Sequence, residues 1–410
     1  MSAYEQHPLS PFRSWLGVAV ITASLFTFVT TELMPVGLLT PLSSSLHVAT
    51  GTAGLIVTLF GISAGLGVPF LVAWTRRVNR RALLPILLAV LAIGNLVIAV
   101  APSFALVLIT RLIMGFAHGM FWAIAVSMAM RLVPGQYANR AAAVALSGIS
   151  IGTVVGIPLG TFIGGLTSWR TTFLIWSALA AVILVLVLAT IPSLPSENAV
   201  SAREVFALPV QNPALRIVML TVVLYVLGHF GAFTFIRPFL EKTDSASTAF
   251  ITVLLVVYGI GGAAGNFIAG HTVNKNPRAS FKVACGGLVF SLLLLLTIGH
   301  SHAGALVAMA LWGVSFGAAN LCQINLTLAA APDTFEAAMS INTLGYNLSI
   351  ALGALVGGLF ADNLGVRSTL WFGVALTAAS LALAMAMVRA ARNTGDLERS
   401  SGRADVTVEA

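Results

Sequence analysis

Long apolar stretches alternate with short polar breaks from one end of the chain to the other. Apolar runs of about 18 residues or more with few charges read as membrane-spanning helices, because a helix satisfies every backbone N–H and C=O within itself. The runs lack the in–out alternation over about ten residues that marks a transmembrane barrel strand. The pattern predicts twelve helices over roughly 15–40, 51–73, 82–101, 103–131, 141–165, 171–192, 215–240, 250–271, 281–299, 303–331, 338–361 and 369–391. Each is long enough to cross a hydrocarbon core about 30 Å thick. No small-residue cleavage site follows the first run, which therefore reads as a retained helix and not a signal peptide.

The longest break, 193–214, holds Pro195, Pro209 and Pro213 and divides six helices from six. The two sides share signatures. Met34-Pro35 near the end of helix 1 corresponds to Arg237-Pro238 near the end of helix 7. Gly115 and Gly119 in helix 4 match Gly313 and Gly317 in helix 10, and Gly152 and Gly160 in helix 5 match Gly345 and Gly353 in helix 11. The repeat predicts an all-α, polytopic membrane protein with twelve transmembrane helices in two pseudo-symmetric six-helix bundles, 15–192 and 215–391. A cytoplasmic linker (193–214) joins them. A polar tail precedes them (1–14), and a polar, disordered tail follows (392–410). A ligand site is expected between the halves near the midplane.

Of 410 residues, 58% are hydrophobic and only 8% charged, against about a quarter charged in soluble domains. The net charge of +8 does not point to nucleic acid, because the basic residues fall in alternate breaks. Thirteen Lys and Arg, among them Arg76, Arg77, Arg80, Arg81, Arg131, Arg140 and Lys275, flank one side; Arg170, Lys242 and Arg367 flank the other. That asymmetry puts both termini in the cytoplasm, in what we read as a bacterial inner membrane. Arg76–Arg81 reads as a topology determinant and a lipid-headgroup contact. Cys285 and Cys322 lie in apolar stretches without metal-ligand neighbours, and His300 and His302 alone do not make a metal site. No phosphate-binding Gly-rich loop with Lys-Ser/Thr appears, so the reading carries no cofactor and takes a proton gradient as the energy source.

Several motifs resemble those of the major facilitator superfamily over residues 15–391. Arg111-Leu112-Ile113-Met114-Gly115, continuing to Gly119, resembles that family's helix 4 motif. Gly148, Gly152, Gly156, Pro158 and Gly160 in helix 5 resemble the motif associated with antiporters. More narrowly, Thr31-Glu32-Leu33-Met34-Pro35-Val36-Gly37 is similar to the first helix of the sugar efflux transporters of the drug-proton antiporter branch. Phe233-Thr234-Phe235-Ile236-Arg237-Pro238 is similar to related purine ribonucleoside efflux proteins. The loop after helix 2 departs from the family's Gly-x-x-x-Asp-Arg-x-Gly-Arg-Arg pattern: it keeps Arg77, Arg80 and Arg81, but Arg76 stands at the Asp. The resemblance implies a secondary transporter working as a monomer, not an enzyme.

Thirteen acids occur, and Glu32 alone falls well inside a predicted helix. A charge there costs about 2.5–3.5 kcal/mol on insertion scales. A carboxyl withdrawn from water holds a proton more readily, which suits a proton carrier; the alternative is a structural hydrogen bond holding helix 1. Counting along the helices puts Arg111 at about the depth of Glu32, as a partner that would hold Glu32 ionised when near and release it when distant. A static salt bridge is the plainer reading. His118 and Trp122 follow Arg111 on one face of helix 4, so His118 could relay protons or sit as a buried histidine on a backbone carbonyl. His229 and Arg237 form a similar face in helix 7, where Arg237 can also snorkel to the interface. Asn320, Gln323, Asn342 and Tyr346 suit a neutral polar ligand or interhelical hydrogen bonds. Pro158 among its glycines permits a bend and close packing. The reading is a proton-coupled exporter of sugars, nucleosides or drugs by alternating access. An importing facilitator or symporter is the alternative, and a membrane enzyme or sensor the distant one.

Overall fold

The computed structural model describes residues 10–74, 79–193, 202–244, 246–273 and 275–406. Among them there are helices and no strands. Twelve long helices cross the bundle: α1 (Pro11–Ser45), α2 (Leu55–Trp74), α3 (Arg80–Val100), α4 (Phe104–Arg131), α5, α6 (Trp169–Thr190), α7 (Pro213–Phe233), α8 (Thr248–Thr272), α9 (Pro277–Ile298), α10 (His302–Ala330), α11 (Phe335–Leu364) and α12 (Arg367–Val406). Helix α5 comes in three stretches, Ala138–Ile151, a π-helical turn Gly152–Gly156, and Ile157–Leu166. All twelve include a stretch long and apolar enough to cross a membrane.

The starts of these helices are written in the polar breaks. The first turn of a helix leaves backbone N–H groups without partners, and a Ser or Asn side chain can accept from one of them. Ser10, Asn79, Ser103, Ser168, Asn212, Ser247, Asn276 and Ser301 each do so at the head of α1, α3, α4, α6, α7, α8, α9 and α10. Between α11 and α12 the chain turns at Gly365 with φ +85°, in the left-handed region that a side chain disfavours.

Two elements differ from the sequence reading. The linker is not irregular throughout: Ala202–Gln211 is a helix. The tail expected to be disordered continues α12 to Val406, through Ala, Arg, Leu and Glu residues of high helix propensity.

Each half buries its own apolar core. One is centred on residues such as Phe28, Leu88, Phe121 and Trp176, the other on Tyr225, Leu288, Met309 and Trp312. The halves meet where α2 faces α11 and α5 faces α8. Several hydrogen bonds that join the halves lie on the side away from the termini. There Asp362 accepts from Gly51 N–H (2.6 Å) and Thr52 N–H (2.9 Å), capping a short helix, Thr50–Ala53, of the other half. Thr40 donates to Glu241, and Arg237 donates to Gly37 O. Further in, a cavity lies between the halves.

Candidate functional site: a cavity between the two halves

The cavity, about 380 Å³, lies in the middle of the bundle, within the range of small-molecule sites. Leu146, Ile324 and Met339 extend its lining towards the terminal side. From the first half come Glu32, His118 and Trp122; from the second come His229, Tyr258, Asn320, Gln323, Asn342 and Tyr346. Among the described residues that line it, Glu32 is the sole acid and none is Lys or Arg.

Glu32 faces His118, with Oε2 3.3 Å from Nε2. The imidazole is stacked on Trp122 (centroids 5.6 Å apart) and edge-on to Phe60 and Phe28. Its Nδ1 is buried without a hydrogen-bond partner. The carboxyl and the imidazole can share a proton across this contact, in a setting of aromatic rings.

Arg111 does not bond the carboxyl of Glu32, which corrects the expected pair. It is fully buried and spends its fork on main-chain oxygens: Nε on Ile56 O (3.0 Å), Nη1 on Thr31 O (2.9 Å) and Nη2 on Glu32 O (3.0 Å). Its guanidinium lies over the Phe60 ring at 4.0 Å. Pro35 explains the geometry. A helical carbonyl accepts from the N–H four residues on, and proline has none. The Thr31 carbonyl is left open by Pro35, and Arg111 fills it.

Arg237 repeats this device and is likewise corrected, from cavity wall to clasp between the halves. Pro41 leaves the Gly37 carbonyl open, and Arg237 Nη1 donates to it from the opposite half. Its Nε is 2.7 Å from Glu241 Oε1 and its Nη2 3.2 Å from Thr248 Oγ1. Arg237 is buried and absent from the cavity lining, so it does not snorkel. Two internal prolines of α1 were the signal in the sequence for both arginines.

On the second-half wall, Asn342 Nδ2 donates to Gln323 Oε1 (2.7 Å) and Gln323 Nε2 to Asn320 Oδ1 (3.4 Å). Asn342 Oδ1 is buried and unpaired. Trp312 Nε1 donates to His229 Nδ1 (3.1 Å), and His229 Nε2 lies 3.2 Å from Tyr258 Oη. Sequence reading missed Tyr258 and Trp312, because aromatic residues in apolar helices give no signal of their polar ends.

The halves are chemically unequal. The register that aligns Gly115 and Gly119 with Gly313 and Gly317 sets Met309 opposite Arg111 and Phe316 opposite His118; the one that aligns Pro35 with Pro238 sets Phe235 opposite Glu32. At these registers Glu32, Arg111 and His118 have no ionisable counterparts in the second half.

The motif glycines let neighbouring helices approach closely. Gly115 and Gly119 of α4 face the main chain of α2 at Phe60 and Ala64, while Gly152, Gly156 and Gly160 of α5 face Phe26, Thr30 and Met34 of α1. Pro158 stands just after the π-helical turn, at the head of the last stretch of α5. Arg77 lies outside the described residues, Arg80 begins α3, and Arg81 is exposed.

The sequence profile described as Major Facilitator Superfamily matches residues 16–336. The chain belongs to the Major Facilitator Superfamily. It is a multi-pass membrane protein with the fold of that superfamily's transporters, two halves of six helices. Solved structures with the same fold include a bacterial homolog of the human lysosomal transporter Spinster in an inward-facing, unoccupied conformation. It is 15% identical, covers 93% of this chain and 98% of its own, and has a TM-score of 0.72. The human organic anion transporter MFSD10 is 18% identical, covering 92% and 100%, with a TM-score of 0.67. The nucleoside transporter NupG is 15% identical, covering 91% and 99%, with a TM-score of 0.73. At these identities the likeness is one of fold, and the superfamily membership makes this chain a transporter by class.

Proposed function

We propose that this protein is a proton-coupled exporter of small organic solutes, working by alternating access with Glu32 as the proton carrier. The observation that carries the reading is that the one acid lining the cavity sits there with His118 as its neighbour. In this cavity, solute and the proton on Glu32 compete for one space. With both termini cytoplasmic, as the Lys and Arg asymmetry supports, the cavity faces the cytoplasm, where an exporter loads. Clasps through Asp362 and Arg237 seal the other side. The outward direction rests on the resemblance of the Gly and Pro pattern in α5 to antiporters. The absence of Lys and Arg from the lining favours neutral or cationic solutes, such as sugars, nucleosides or amphiphilic drugs. A bacterial inner membrane is the setting we infer.

The test uses everted vesicles with an acidic lumen and a panel of labelled sugars and nucleosides. We expect uphill accumulation of the transported solute, lost in Glu32→Gln while downhill exchange continues. Accumulation undiminished in Glu32→Gln would remove Glu32 from the coupling. Solute leaving the lumen together with protons would make the protein an importer.

A further inference from the structure

We propose that Tyr258, its polarity fixed by Trp312 through His229, is a one-way hydrogen-bond donor that selects solutes carrying an acceptor atom on a flat ring. The inference rests on the cavity being the solute site and names the chemical class that this site takes.

An indole N–H can only donate. Trp312 Nε1 donates to His229 Nδ1 at 3.1 Å, so Nδ1 carries no proton. The proton of a neutral imidazole then sits on Nε2, 3.2 Å from Tyr258 Oη. The tyrosine oxygen accepts there, and its own O–H has to donate elsewhere. Among the described residues that hydroxyl makes no second hydrogen bond, and Tyr258 lines the cavity. Its remaining partner is the occupant.

The donor is set in a wall of rings. Phe233 stacks on Tyr258 with centroids 4.7 Å apart, and Phe316 lies on His229 at 3.6 Å and 11°. Phe230 stands edge-on to both Phe233 and Phe316. Flat apolar faces around one donor suit a planar ring with a carbonyl oxygen or ring nitrogen in its plane. The relay also has no switch. A proton on Nδ1 would break the bond from Trp312, so the donor is offered whether or not Glu32 is charged.

Calorimetric binding to the purified full-length protein in detergent tests this with two probes of similar size, 4-acetylphenyl β-D-glucoside and 4-isopropylphenyl β-D-glucoside. Wild type is expected to bind the acetyl probe roughly 3–10-fold more tightly, the worth of one hydrogen bond. Tyr258→Phe is expected to bring the ratio to about one by weakening the acetyl probe alone. Trp312→Phe keeps the hydroxyl but frees Nδ1 to take the proton, so that Tyr258 turns its O–H to Nε2. The ratio falls there too, which loss of packing alone would not produce. Glu32→Gln keeps the ratio. Equal binding of both probes by wild type, or a preference retained in Tyr258→Phe, would overturn the inference and leave the cavity reading intact. Binding of neither probe would overturn both.

Discussion

Proline 35 and arginine 111 make one unit, although 76 positions separate them in the chain. The proline opens a carbonyl in the turn that carries Glu32, and the arginine closes it while holding two more carbonyls, at Glu32 and Ile56. A lysine has the charge but not the fork. It can serve the open Thr31 carbonyl but loses the charged hydrogen bonds to the carbonyls of Glu32 and Ile56. Hydrogen bonds from charged groups are worth about 1.5–3 kcal/mol each. Arg111→Lys is therefore expected to destabilise the protein by about 3 kcal/mol, read by chemical unfolding in mixed micelles. A stability equal to wild type would show that the carbonyls are satisfied without the fork. The sequence made both residues visible but suggested the wrong atom of Glu32 as the partner, since matching depth along two helices says nothing about which oxygen a side chain reaches.

Helices were the most legible level. Long apolar runs and the polar breaks between them marked all twelve; α1 runs a few residues past its expected ends, to Pro11 and Ser45, whereas α7 stops at Phe233, short of the expected 240. Glycine spacing marked where helices touch. A Cβ on Gly119 would meet the carbonyl oxygen and main chain of Ala64 in α2, atoms that no rotamer change can move aside. Gly119→Val is expected to cost about 2 kcal/mol, in the range for overpacked cores. Gly286→Val, where nothing lies within 4 Å of the added carbon, should stay near wild type in the same unfolding assay. Equal losses at both sites would mean that close approach of α2 and α4 is not what Gly119 provides. The helix at Ala202–Gln211 was hidden because Pro209 and its neighbours read as a break.

The assembly of the halves was legible in outline and not in detail. Internal repeats announced two bundles with a site between them, and Glu32, His118, Trp122, His229, Asn320, Gln323, Asn342 and Tyr346 all reach the cavity. Long-range pairings were not legible: the cap of Asp362 on Gly51 and Thr52, or the bond of Arg237 to Gly37, joins residues hundreds of positions apart. Those clasps make the closed side of the molecule and leave Glu32 exposed to the cavity on the other. The central claim is that solute and proton exclude each other at Glu32. Its most direct test is a pH-indicator titration of the purified protein in weak buffer at neutral pH. A saturating transported solute should release about one proton per chain from wild type and none from Glu32→Gln, because solute and proton cannot hold the Glu32 carboxyl together. Equal release from both proteins, or release from neither while the solute still binds, would contradict the account.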